Sequence, residues 1–427
     1  MNGKALLILF SLFLLHLNTL GQVSGFISAS YGYDGNPLYN YDRVADWITQ
    51  TYLEMNYEKE FTVSHLRIGY VGGLMLFRRL QSRNYYEHNI SSRYSVRFKS
   101  HLDQFDSASV RSGAGGGQRS PGHATMRDDS TDTYMEFALI GQGRHDKRTF
   151  KDFDNYGVEL DAAYRFMVSE RFFLRIVNFV GYRNYAFLSE LSNVHDVLVF
   201  ELGNNAGSSL DVGLRIGGGM KHFTTSVYDT SRFEPQRTYS ESATGKGKGG
   251  AKLLVPSAKE ILTNTGPANA FQISPGFHLL KKWPHRSLGA ECLYRFNLGT
   301  STRYLAQYAN TSILSEDIYN DHFSYEGPEV QATYKQTMLL GIQSVLTATL
   351  QRKKFGAPAF DLAGNKISDH RNDVRSSVDV YLSRYVHLSE RMGLDISFGA
   401  GAVRNRSSDD YNDYSAFNVS LSLGLGF

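Results

Sequence analysis

The sequence predicts an all-β chain: a transmembrane antiparallel up-and-down β-barrel of about 16 strands, with short turns at one end and long loops at the other. Three observations predict it. The last stretch alternates strictly, with Phe417, Val419, Leu421, Leu423, Leu425 and Phe427 set against Asn418, Ser420, Ser422, Gly424 and Gly426. Successive side chains leave a pleated strand on opposite faces, so a period of two is a strand period. One face here is wholly apolar and the other small or polar, which suits a wall between lipid and water. The composition agrees, with 27 Tyr, 27 Phe and 40 Gly against 9 Pro and 2 Trp in 427 residues. Tyr and Phe favour strands and membrane interfaces. Finally, mean hydropathy is slightly negative. That excludes a polytopic helical membrane protein but not a barrel, which spends only alternate residues on lipid.

The ends of the chain set its organisation. Lys4 followed by the apolar run Ala5 to Leu15 reads as a secretory signal, with His16 and Asn18 interrupting it too early for a spanning helix. Residues 1–21 are therefore expected to be a cleaved signal peptide, and residues 22–427 the barrel. No later segment approaches the roughly eighteen apolar residues of a transmembrane helix. The first strand follows at once, with Val23, Gly25, Ile27, Ala29 and Tyr31 alternating with Ser24, Phe26, Ser28, Ser30 and Gly32. First and last strands are expected to pair and close the barrel, because an open edge in lipid leaves backbone groups unsatisfied. The small inner face of Ser420, Ser422, Gly424 and Gly426 is expected to mark open lumen near the short-turn mouth.

The same alternation recurs between the ends. Leu66, Ile68, Tyr70, Leu74 and Leu76 oppose Arg67, Gly69, Val71 and Gly73, and Leu210, Val212, Leu214 and Ile216 oppose Asp211, Gly213, Arg215 and Gly217. Each strand with its connection takes roughly 25 residues, a spacing that also accommodates 14 or 18 strands. Short connections are expected at 58–63, 168–171, 203–208, 283–286, 338–341 and 387–392. Long ones are expected at 34–46, 78–90, 143–154, 186–195, 224–268, 299–328, 356–372 and 404–413. Phe61-Thr-Val-Ser, Val168-Ser-Glu-Arg-Phe and Leu388-Ser-Glu-Arg-Met suggest shared turn chemistry. Residues 106–131 break the alternation of lengths: a long, glycine-rich connection falls where a short turn belongs. Either that turn is unusual or the strand count there is wrong.

Ionisable residues keep to the parity opposite the apolar one. The expected lumen set is Arg67, Arg93, Arg97, Lys99, Glu136, Glu159, Asp161, Arg165, Asp211, Arg215, Glu291, Arg295, Asp379 and Asp395. Lipid exposure would cost roughly 2–4 kcal/mol for each Arg or Lys near the bilayer midplane. Two readings fit such a wall. One is a channel for small polar solutes; the other is an occluded lumen laced by ion pairs, with outer loops that bind a partner. About 16 strands enclose enough width for water, which favours the channel.

Other chemistry finds little support. Net charge is +3, so no global argument favours nucleic acid. The lone Cys292 forms no intramolecular disulfide and reads as a small strand hydrophobe. His145, His195, His322 and His370 each neighbour an Asp, but they fit no hydrolase constellation and no metal spacing. No catalytic residue, metal or cofactor is expected.

The terminal strand ending in Phe427 resembles the C-terminal signal of Gram-negative outer-membrane β-barrel proteins. That resemblance implies export to the outer membrane, a lipid and lipopolysaccharide surround, and recognition of Phe417, Val419, Leu421, Leu423, Leu425 and Phe427 by the barrel-assembly machinery. It is porin-like in kind, identifies no subfamily, and leaves homo-oligomerisation open.

Overall fold

The computed structural model describes residues 22–98, 133–147, 154–225, 269–298 and 322–427, apart from 38, 40, 42, 170, 171, 205–208, 357, 364 and 391. The expected signal peptide, the whole of 106–131 and all of 224–268 but its first two residues therefore lie outside the described residues.

Sixteen long strands close into one barrel. In chain order they are β1 (Gln22–Asp34), β2 (Asp46–Glu60), β3 (Ser64–Phe77), β4 (Tyr85–Phe98), β5 (Thr133–Asp146), β6 (Asn155–Met167), β7 (Phe172–Tyr185), β8 (Asn193–Asn204), β9 (Leu210–Phe223), β10 (Asn269–Trp283), β11 (Arg286–Asn297), β12 (Tyr325–Thr337), β13 (Gln343–Phe355), β16 (Asn372–His387), β17 (Gly393–Ser407) and β18 (Tyr414–Gly426). A two-stranded hairpin, β14 (Ala359–Phe360) with β15 (Lys366–Ser368), stands apart in the connection between β13 and β16. Every barrel strand pairs antiparallel with its chain neighbours.

The seam forms between the two ends. β1 pairs with β18 in the register Ile27–Leu425, Ala29–Leu423 and Tyr31–Leu421. Two backbone bonds lock the last residue, Gly25 N–H to the Phe427 carbonyl at 2.8 Å and Phe427 N–H to the Gly25 carbonyl at 2.9 Å. The Phe427 ring fills the space a Cβ at Gly25 would need, at 2.5 Å.

The apolar parity faces outward all round. Leu214 is 61 % exposed, and Ile90, Leu139, Leu160, Leu350 and Leu423 are similarly open. Side chains this large have no reason to stand in water together, and as a continuous belt they make a lipid-facing surface.

Turns at the short end follow their local chemistry. Val168 N–H donates to the Phe172 carbonyl, and Leu388 N–H to the Met392 carbonyl, at 2.9 and 3.0 Å. In each, the serine hydroxyl oxygen accepts the closing N–H, Phe172 to Ser169 at 3.3 Å and Met392 to Ser389 at 3.1 Å. The turn after Phe61 differs: it is tighter and closes from Phe61 N–H to the Ser64 carbonyl at 2.8 Å. β4 ends and β5 begins at this same end. Phe98 and Thr133 pair directly, so β4 and β5 are neighbours in the barrel and no barrel strand is missing between them.

At the long-loop end the strands run further than the alternation implied. β4 begins at Tyr85, β8 at Asn193 and β12 at Tyr325, while β5 and β17 extend to Asp146 and Ser407. The reason is chemical. Beyond the lipid belt both faces become polar, so the backbone ladder continues while the apolar signal stops.

Candidate functional site: the inner wall

The inward parity of the strands builds a charged surface. Arg67, Arg93, Arg97, Glu136, Glu159, Asp161, Arg165, Asp211, Arg215, Glu291, Arg295, Asp379 and Asp395 all sit on it, by the registers that place their neighbours in the belt. Lys99 lies outside the described residues.

Most of these charges are paired along the wall. Arg67 reaches Glu54 and Glu58 of β2, each at 3.4 Å. Arg93 meets Glu136 at 3.1 Å, and Arg175 meets Glu201 at 3.5 Å. Arg295 pairs with Glu329 across β11 and β12. Other links step over a strand. Arg215 of β9 meets Glu291 of β11 at 2.6 Å, passing β10 where Gly276 has no side chain. His195 of β8 lies 3.6 Å from Glu159 of β6, and its ring occupies the space a Cβ at Gly181 of β7 would need. His278 of β10 stands over Gly213 of the adjacent β9 and lies 3.8 Å from Asp211 of that same strand.

These pairs run between strands one or two apart. Sixteen strands about 4.8 Å apart and tilted about 40° enclose a wall roughly 30 Å across between backbones. No side-chain pair spans that distance, so the ion pairs brace the wall without bridging its interior.

The charge is unevenly spread. From β2 to β13 the wall carries cations and anions alternately. The seam arc, β17, β18 and β1, presents Ser397, Gly399, Gly401, Asn418, Ser420, Ser422, Ser28, Ser30 and Gly32 instead, with the acidic Asp395 towards one end and Asp34 towards the other. The expectation of open lumen at Gly424 needs correcting. The Phe26 ring lies over Gly424, occupying the space of a missing Cβ, because a large apolar side chain on the inner parity buries itself against the flattest stretch of wall. The small surface is confined to the level of Ser420 and Ser422. A further apolar group on the inner face, Val177, Phe179, Val197 and Val199 of β7 and β8, breaks the simple rule of polar inside; parity counting along those strands would have found it.

At the long-loop end, connecting segments fold into the mouth. Leu80 and Val44 pack on the inward Ile48, Met75, Phe77 and Tyr85. Asp46, 1 % exposed, holds this turn. Its carboxylate accepts the backbone N–H of Arg79 at 2.8 Å and of Leu80 at 2.7 Å. Tyr39 packs on the inward Val403, Tyr414 and Ala416. Phe323 is buried, its ring against Gly219 of β9. The β14–β15 segment reaches the last loop, where Tyr411 donates to the Leu362 carbonyl at 2.9 Å and Asp409 accepts from Phe360 N–H at 3.1 Å. Apolar alternation carries no sign of these contacts.

The histidines of the sequence reading separate. His195 faces inward while Asp196 faces outward, where it accepts from Asn178 at 2.6 Å. His145 faces outward, 4.0 Å from Asp154, while Asp146 turns inward to Arg144 at 2.6 Å. Neighbours in sequence thus lie on opposite sides of the wall, and none of these pairs assembles a nucleophile with its base. Among the described residues no cluster of three metal-ligating side chains occurs.

Closed topology, lipid-facing belt and charged interior define a membrane-spanning β-barrel. No protein-family model matches the chain, and no curated protein sequence does. Among solved structures, it is similar to the outer membrane protein OpdK from Pseudomonas aeruginosa, with 10 % identity over 95 % of this chain and 99 % of that one and a TM-score of 0.43. It is also similar to OccK2 (OpdF) and OccK5 (OpdH) of the same organism, at 11 % and 9 % identity, with TM-scores of 0.41 and 0.40. Each of these matches covers 95 % of this chain and 98 % of the other.

Proposed function

We propose that the protein is an outer-membrane channel that passes small polar solutes by diffusion along its charged inner wall. One observation carries the reading: the wall's ion pairs connect neighbouring strands across a barrel too wide for them to bridge. In this orientation the short turns are periplasmic and the folded-in loops narrow the extracellular mouth. The wall's charges then act on a solute by lowering the cost of stripping part of its hydration in the narrowed region, and no bond is made or broken. Residues 1–21 serve as the export signal in this reading, and the outer face of β18, from Phe417 to Phe427, as the segment that assembly factors recognise.

Planar-bilayer recording tests it. Detergent-folded protein is expected to give discrete, ohmic conductance steps. Correctly folded protein that inserts and never conducts would refute the channel and leave a surface-binding barrel. N-terminal sequencing of protein recovered from the outer membrane is expected to begin at Gln22.

A further inference from the structure

The belt's outward face carries a cationic patch at one place on its extracellular edge. Arg352 of β13 lies across from Val374 of β16, which lies across from Arg406 of β17. The two arginines thus flank one valine, two strand spacings or about 10 Å apart. Lys354 stands one outward position above Arg352, and Arg404 one below Arg406. Lys354 pairs with Glu326 at 3.3 Å and Arg404 with Asp413 at 2.6 Å. Arg352 and Arg406 are exposed and have no hydrogen-bond or ion-pair partner among the described residues. Two free guanidinium groups at the edge of lipid are unusual in a wall that pairs its inner charges.

The surface beneath them has its own shape. Ala348, Val378 and Ala402 face one another in register, and below them Leu346, Val380 and Ala400. Phe417 of β18 stands exposed beside Ala402, Leu350 of β13 lies between Arg352 and Ala348, and Phe398 of β17 closes the far end beyond Ala400. The result is a shallow apolar lane between larger side chains, running away from the cations. An amphiphile with anionic groups above and acyl chains below fits both parts at once.

We infer that Arg352 and Arg406 form a docking site for a bis-phosphorylated glycolipid of the outer leaflet, with one phosphate at each guanidinium and an acyl chain in the alanine-lined lane. Each guanidinium offers a fork of donors matched to phosphate oxygens. Glu326 and Asp413 oppose a third anionic group, which limits the site to two. The inference rests on the outer-membrane orientation proposed above.

The test uses full-length protein folded in detergent, with bis-phosphorylated lipid A, its monophosphoryl form or phosphatidylglycerol added. Native mass spectrometry reads the bound lipid, and the heat-dependent gel shift reads stabilisation. Wild type is expected to retain bis-phosphorylated lipid A and to unfold at higher temperature with it. The Arg352→Gln/Arg406→Gln variant is expected to bind it at least about tenfold more weakly, as befits the loss of two charge-assisted contacts. Arg384→Gln, an outward cation at the opposite end, is expected to bind as wild type does. Equal binding by the double variant, or equal binding of phosphatidylglycerol at matched charge, overturns the inference. A second arm needs no variant: bound lipid A should fall as salt is raised, and retention unchanged by high salt also overturns it. Conductance reads the channel proposal separately, since neither arginine faces the lumen.

Discussion

A single carboxylate shows how the mouth at the long-loop end is held. Asp46 gathers backbone donors from a turn more than thirty residues away, and its replacement leaves them buried without acceptors. Asp46→Ala is expected to cost about 1–3 kcal/mol and to speed hydrogen exchange at 78–84, while Asp46→Asn retains most of the stability. Asp154, in the loop before β6, behaves differently. Burial is the main influence and raises its carboxyl above the usual 3.8, against the lowering effect of the bond it accepts from Asp146 N–H at 2.6 Å. A raised acid favours the folded state when protonated, so its contribution is present below the usual value and is lost as pH rises through the folded one. Asp154→Asn is therefore expected to flatten that part of the pH dependence of the heat transition; an unchanged pH profile would refute the assignment. In the lumen, Arg67 and Arg215 are each about one-third exposed. Solvent screening keeps their pairs to less than about 1 kcal/mol of stability. Arg67→Gln with Arg215→Gln is expected to shift the cation-to-anion permeability ratio about twofold toward cations, read from reversal potentials in a salt gradient, with little change in the gel shift.

At the level of strands, glycines mark where neighbours press closest. A Cβ at Gly32 would stand 2.6 Å from the Val419 carbonyl and 2.9 Å from Ser420 Cβ, both fixed by the seam. At Gly218 nothing lies within 4 Å. Gly32→Ala is expected to destabilise the barrel by about 1–3 kcal/mol through overpacking, and Gly218→Ala to leave the heat transition unchanged. The strands themselves were legible because lipid forces a period of two on each one. β9 from Leu210 to Ile216 and β18 from Phe417 to Leu425 show it without interruption, and the β1–β18 pairing followed from the need to close an edge. What stayed hidden depends on contacts between strands. Phe26 reads as an inward residue from its own strand, but only the register with β18 brings Gly424 beneath it. The polar tips of β4, β5, β8, β12 and β17 carry ladder hydrogen bonds that hydropathy does not report. The inner-wall parity could be read from the sequence; the step of Arg215 over Gly276, and of His195 over Gly181, could not.

Seen whole, the barrel is a ring of nearest-neighbour pairings, so its connections are separable from its wall. His222 and Asn269 pair across β9 and β10 at the base of the longest loop, their side chains 2.5 Å apart. Replacing residues 226–268 with a short glycine-serine linker is expected to preserve the gel shift and the inward ion pairs, since both flanking strands keep their register. Loss of the folded band would mean that this segment helps hold the wall. Residues 99–132 offer the matching case at the opposite end, where Phe98 and Thr133 are already paired.

The bond between Gly25 and Phe427 also sets a timetable. It belongs to the pairing of β1 with β18, the first and last of the barrel strands in sequence, so the ring cannot exist until β18 has been made. Until then β1 and the growing front strand each present a row of unmet amides. Contacts this distant in sequence form slowly and late, and open edges of this kind invite pairing with other chains. All the other pairings of the wall join chain neighbours and can form earlier; the seam alone waits for both ends of the strand order.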